Sequence, residues 1–129
     1  MTKDDISQYI IKCFSENVNC EQFKAELYDS GPEYGVYFSC QKINRKVKIM
    51  IILTENQQNI FLGIIKIRNS FIRINDNSKY ESFNKYFINN KPYKKVPKII
   101  TEENYLDVIN KNIAFMFREL EDVLCGRFW

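Results

Sequence analysis

The chain has 129 residues, 45% of them hydrophobic and 27% charged, the balance of one ordinary globular domain rather than a disordered or fibrous chain. It contains no histidine, which excludes Ser/His and Cys/His nucleophile pairs and histidine-ligated zinc or iron sites. Its formal net charge of +3 permits an anionic partner without demanding one.

In chain order, Asp4 or Asp5 is placed to cap a first helix. Ile6, Tyr9, Ile10, Cys13 and Phe14 then follow at the spacing of one helical face, so the helix should run to about Glu16. From there Phe23, Ala25 and Leu27 alternate with Lys24, Glu26 and Tyr28 in the period of two that predicts a half-buried strand over 22–29. Ser30-Gly31-Pro32-Glu33 reads as a turn into a second strand over 34–41. Asn44-Arg45 makes a tight connection to a third strand over 46–53, and a polar loop over 55–59 leads to a fourth over 60–67. Apolar residues on both parities of strands three and four predict central strands with helices on both faces.

A short fifth strand is expected at Phe71, Ile72 and Ile74, and the capping box Ser78-x-x-Glu81 predicts a helix over 79–88. The last helix should begin at Thr101 as cap, with Glu102 and Glu103 in its first turn. Its core stripe is Leu106, Ile109, Ile113, Met116, Phe117, Leu120 and Leu124, widened by Phe115 and Val123, and Gly126 ends it. The expectation is a single α+β domain over 1–129. It is an antiparallel four- or five-stranded meander with one N-terminal helix and two C-terminal helices packed on the sheet.

The acidic start Met1-Thr2-Lys3-Asp4-Asp5 and the absence of a run of 18 apolar residues predict no export signal, no membrane span and a cytoplasmic location. Cys13, Cys20, Cys40 and Cys125 form no C-x-x-C pair and read as reduced thiols filling space.

Catalytic constellations are sparse. Asp29 could be the first acid of a magnesium-dependent nuclease, but Cys40-Gln41-Lys42 stands where the second acidic ligand is needed, so Asp29 reads more simply as a turn residue. Gly31, Gly35, Gly63 and Gly126 never approach a phosphate-binding loop or a dinucleotide fingerprint. A cysteine nucleophile at Cys20 or Cys125 would need an activating base other than histidine. No metal or cofactor is called for, and the chain reads as a binding protein rather than an enzyme.

Contact surfaces are more numerous. Lys85, Lys91, Lys94, Lys95 and Lys98 occur without an acidic neighbour and beside Tyr86, Phe87 and Tyr93, a pattern that either binds nucleic acid or is a solvated loop in a lysine-rich chain. Lys42, Arg45, Lys46 and Lys48 form a second basic cluster. The last helix is acidic, with Glu119 and Asp122 among its carboxylates, so the surface is divided in charge. Strand parity puts Tyr28 and Tyr37 opposite Phe23, Leu27, Val36 and Phe38. Together with Tyr34 at the turn and Phe128-Trp129, they supply residue types that dominate interfaces, or else form a second buried layer.

In its length, its AT-rich composition (18 Ile, 14 Asn and 14 Lys) and its order of helix, meander and helix, the chain resembles small bacterial immunity proteins of polymorphic toxin and contact-dependent growth inhibition systems. The resemblance implies stoichiometric occlusion of one cognate toxin domain, without turnover or cofactor. The contact would lie among Tyr28, Tyr34, Tyr37, Lys85, Lys91, Lys94, Lys95, Lys98, Glu119 and Asp122. Many immunity proteins against nucleases are acidic, and the positive net charge here departs from that pattern. The alternative is a small nucleic-acid-binding or regulatory accessory protein using the lysines at 42–48 and 85–98. The oligomeric state is not legible.

Overall fold

Thr2, rather than either aspartate, opens the first helix. Its hydroxyl accepts from the Asp5 amide at 3.0 Å while the Asp5 carboxylate accepts from the Thr2 amide at 3.1 Å, a reciprocal box that satisfies two otherwise orphaned donors. These two bonds also hold the Asp5 carboxyl below the usual carboxylate range. The computed structural model describes residues 1–67 and 95–127. Within them the order is helix α1 (Lys3–Asn17), strands β1 (Lys24–Asp29) and β2 (Glu33–Cys40), a 3-10 turn (Gln41–Ile43), strands β3 (Arg45–Leu53), β4 (Gln58–Lys66) and β5 (Ile99–Ile100), and helix α2 (Tyr105–Leu124). The strand expected at 71–74, the helix expected at 79–88 and the terminal Phe128-Trp129 lie outside the described residues.

The five strands form one antiparallel sheet in the order β1-β2-β3-β4-β5, so the fold is α+β as expected, with its fifth strand at Ile99–Ile100. The register aligns Leu27, Val36, Ile49 and Leu62 on one face and Glu26, Tyr37, Lys48 and Gly63 on the other. Both described helices pack on the first of these faces. Phe14 is the nexus of the core, stacked on Phe38 with ring centroids 3.9 Å apart and edge-on to both Phe23 and Phe117 at 5.3 Å. Met50 and Ile65 are buried on the second face, apart from this cluster.

Strand β1 departs from its expected half-burial. Ala25 and Leu27 have the parity of the helix face, yet every residue of β1 is exposed and Leu27 retains 55% of its surface. Helix α1 lies over β2, and β1 extends beyond its shadow. Gly35, at φ +156°, marks where β2 and β3 approach closely: a Cβ there would fall on the Ile49 carbonyl oxygen.

The last helix also starts later than expected. Ile99–Ile100 continues in the sheet, with Ile60 N–H donating to Lys98 O at 2.9 Å, so residues 102–104 are spent turning the chain and Tyr105 is the first helical residue. Asn104, not Thr101, is the cap residue, and its Oδ1 accepts from the Thr101 amide at 2.7 Å. Leu106, expected in the core stripe, is 46% exposed in the first turn, whereas Val108 and Asn112 are buried. Asn112 Nδ2 donates to Val108 O and to Pro97 O, both at 2.8 Å, tying the segment before β5 to the helix. Asn112→Ala is expected to cost about 2 kcal/mol, because it leaves the Pro97 carbonyl without this buried donor. Urea denaturation of the two proteins measures it.

Four free thiols were expected, but Cys20 and Cys125 are joined in a disulfide. The partners lie 105 residues apart in sequence, so their Cα separation of 5.9 Å is a product of the tertiary fold that no local spacing announces. Cys13 and Cys40 are the buried free cysteines, and burial pushes the Cys13 thiol up.

Candidate functional site

Antiparallel register places Lys24, Ser39 and Lys46 in one row across β1, β2 and β3 on the second face, and Glu26, Tyr37 and Lys48 in the next. Tyr28 is therefore diagonal to Tyr37, and the rings meet edge-on at 5.3 Å. Lys46 Nζ stands 4.4 Å and Lys48 Nζ 5.6 Å from the centre of the Tyr37 ring. Both cations thus sit against the ring's negative face, which holds the ring in place and leaves Tyr28 beside it with its surface exposed. Partial burial raises the Tyr37 phenol above its ordinary value, with the charges of Tyr28, Glu33 and Glu26 adding to the effect. A shallow depression of about 730 Å³ adjoins this cluster, with Lys24, Glu26, Ser39 and Lys46 on its walls.

The two tyrosines predicted to share a face are therefore brought together. Tyr34 is not with them: its parity is that of the helix face, it retains 2% exposure, and its hydroxyl donates to Gln58 Oε1 at 3.0 Å. Burial, with the Asp29 charge adding, pushes its phenol up to about 12, and the residue is withdrawn from any surface contact.

The basic cluster at 42–48 divides by parity. Lys42 pairs with Glu21 at 3.1 Å, Arg45 is buried, and only Lys46 and Lys48 reach the tyrosines. Arg45 Nε donates to Val123 O at 2.8 Å, and its Nη1 donates to the carbonyls of Ile43 and Asn44, so it is a structural cation. Of the second lysine run, Lys85, Lys91 and Lys94 lie outside the described residues. Lys95 is exposed, and Lys98 turns back to donate to Val96 O at 2.7 Å, partial burial lowering its pKa.

On α2, Glu119 pairs with Arg118 at 3.0 Å and Asp122 with Arg127 at 2.9 Å. These carboxylates belong to the helix side of the sheet, so no flat partner spans both them and the tyrosines. Lys46 and Lys48 belong to the basic run assigned to the nucleic-acid alternative and stand outside the expected toxin-contact set. Their shared parity with Tyr37 in a tight hairpin was the available signal.

Chemistry is less well provided. Asp29 Oδ1 accepts from the Gly31 amide at 2.9 Å and from Lys3 Nζ at 3.0 Å, which holds its carboxyl below the usual range and closes the turn. Among the described residues no group of three or more Cys, Asp or Glu is placed to hold a metal ion. Cys20 and Cys125 are bonded to each other, so neither is a free nucleophile in this form. Among the described residues no helix is long and apolar enough to cross a membrane.

No protein-family model, curated protein or solved structure matches the chain. The Tyr28–Tyr37–Lys46–Lys48 cluster is thus the feature of the described surface with the clearest recognition chemistry. It combines two aromatic rings already held by their neighbours with two ammonium groups that remain able to meet carboxylates or phosphates.

Proposed function

We propose that this chain acts by stoichiometric binding rather than catalysis, as an immunity protein that occludes a cognate bacterial toxin domain without cofactor or turnover. The observation that supports this reading is the tyrosine pair flanked by Lys46 and Lys48, with Tyr28 exposed and Tyr37 and the two lysines half-buried. Tyrosines fixed before binding lose little entropy on contact, and the flanking cations suit a partner surface with carboxylates around an apolar centre.

Affinity capture with the tagged protein at about 150 mM salt tests it. One polypeptide should be recovered in stoichiometric amount and should be toxic when expressed alone. Tyr37→Ala should weaken that complex by roughly 30-fold, the scale of a central aromatic contact, while doubling the salt should change it by less than about threefold. Capture of no protein partner rejects the proposal.

A second reading, binding of nucleic acid, draws on the same lysines around Tyr37, since an aromatic ring between cations can stack a base and neutralise phosphates. Salt separates the two. Phosphate-driven binding falls steeply as a power of salt concentration, and recovery of salt-labile nucleic acid without protein would favour it.

A cytoplasmic site of action belongs to the immunity reading. The Cys20–Cys125 bond weighs against it, because disulfides persist in oxidising compartments. Alkylating free thiols during cell lysis decides the point: two alkylated cysteines per chain place the protein where the bond survives, and four place it in a reducing cytosol.

A further inference from the structure

Strand β1 carries information that the tyrosine patch does not use. Among the described residues it has a strand neighbour on one side only, and all six of its residues are exposed. The direction of its free backbone groups follows from the turn. Ser30 N–H donates to Glu33 O at 2.9 Å, so that pair is hydrogen-bonded, and bonded pairs alternate along an antiparallel ladder. Tyr28, Glu26 and Lys24 therefore bond inward to β2, while the N–H and C=O groups of Ala25, Leu27 and Asp29 point out from the edge. Such an edge is a template for another strand.

We infer that this edge is a self-association surface, on which β1 pairs antiparallel with β1 of a second copy of this chain about a dyad at Ala25. A dyad perpendicular to the sheet keeps each face continuous, so residues of like parity must meet. Three central registers satisfy that condition. Centring on Glu26 sets two Glu26 carboxylates face to face, which is repulsive. Centring on Leu27 sets Glu26 against Tyr28 and leaves the charges unmatched. Centring on Ala25 sets Lys24 opposite Glu26 of the second copy twice over, and Phe23 opposite Leu27 of the second copy twice over.

In that register the Lys24–Glu26 pairs are the narrow, non-hydrogen-bonded ones, where side chains approach most closely. The exposed Leu27 gains an apolar neighbour on the helix side. Charged residues on an edge ordinarily deter pairing, but a Lys and a Glu two positions apart repel themselves in one register and complement themselves in another. The dimer would carry both Tyr28–Tyr37 patches on the same side of one continuous sheet. This pairing of β1 edges does not require that those patches bind a toxin.

Sedimentation velocity of the full chain, from about 5 to 500 µM at about 150 mM salt, tests it. An edge pairing buries less than a standard interface, so the expected dissociation constant is in the range of roughly 10–100 µM. Glu26→Lys and Lys24→Glu should each raise that constant about tenfold, since each creates two like-charge pairs. The double exchange should restore it to within about threefold. Ala25→Pro should abolish the dimer while leaving the circular dichroism spectrum and melting temperature unchanged, because the lost N–H points away from β2. If Ala25→Pro unfolds the chain, the charge exchange alone decides. A monomer at every concentration, or a dimer whose dissociation constant ignores the reversals or is not restored by the double exchange, overturns the proposal.

Discussion

Opening the Cys20–Cys125 bond is expected to lower the stability of the protein by about 4 kcal/mol, a little under the ~4.7 kcal/mol that chain entropy assigns to a loop of roughly a hundred residues, since residual structure in the unfolded chain reduces the gain. The bond spans a sequence separation of 105 and ties the connection between α1 and β1 to the residue that follows α2, so it restrains almost the whole unfolded chain. For a domain of this size the loss corresponds to a fall in melting temperature of about 15 °C. Urea unfolding with and without a thiol reductant measures it. Cys20→Ser should show the lower value in both conditions, and reductant should no longer matter. Equal stability of the native protein in oxidising and reducing buffer would show that the bond contributes nothing to the fold.

Arg45→Ala should cost about 3 kcal/mol. Arg45 is 3% exposed and pairs with Cys40 across β2 and β3 on the helix face. From there its guanidinium donates to Val123 O of the last helical turn and to the carbonyls of Ile43 and Asn44. Removing it takes a charged donor away from buried carbonyls and opens a cavity beneath the helix end. Arg45→Lys should recover less than half of the loss, because one ammonium cannot reproduce a fork that reaches three carbonyls. Hydrogen exchange at the Cys125 amide, which donates to Glu121 O, should accelerate by the same free energy if the last turn frays with it. The disulfide and Arg45 hold the same turn, so the double variant should lose less than the sum of the two. Full additivity would mean that the two restraints act separately.

The parts of the fold that were legible in the sequence are those set by local periodicity. The 3.6 spacing of Ile6, Ile10, Cys13 and Phe14 and the broad stripe from Ile109 to Leu124 identified both described helices, because burying one face of a helix requires that spacing. Alternation and turn chemistry identified β1 to β4 within one or two residues and put Tyr28 and Tyr37 on a common face. Periodicity reports parity, however, and not what lies above a residue. Leu27 and Val36 share a face in register, and one is exposed while the other is fully buried, because α1 crosses β2 and stops short of β1.

Much of the candidate site was hidden for the same reason. Lys42, Arg45, Lys46 and Lys48 look alike as a run of cations, yet one pairs with Glu21, one is buried under α2, and two stand over Tyr37. Tyr34 has the composition of a contact residue and the parity of the core, and parity decided its place.

What the sequence by itself determined is the alternation, the turns and the apolar stripes, which local backbone geometry reads directly. The disulfide, the buried Arg45 and Asn112, and the exposed edge of β1 were decided only by the tertiary structure. Each depends on which distant segments meet, and a separation of 105 residues between two cysteines carries no local signature of the 5.9 Å that the fold imposes on their Cα atoms.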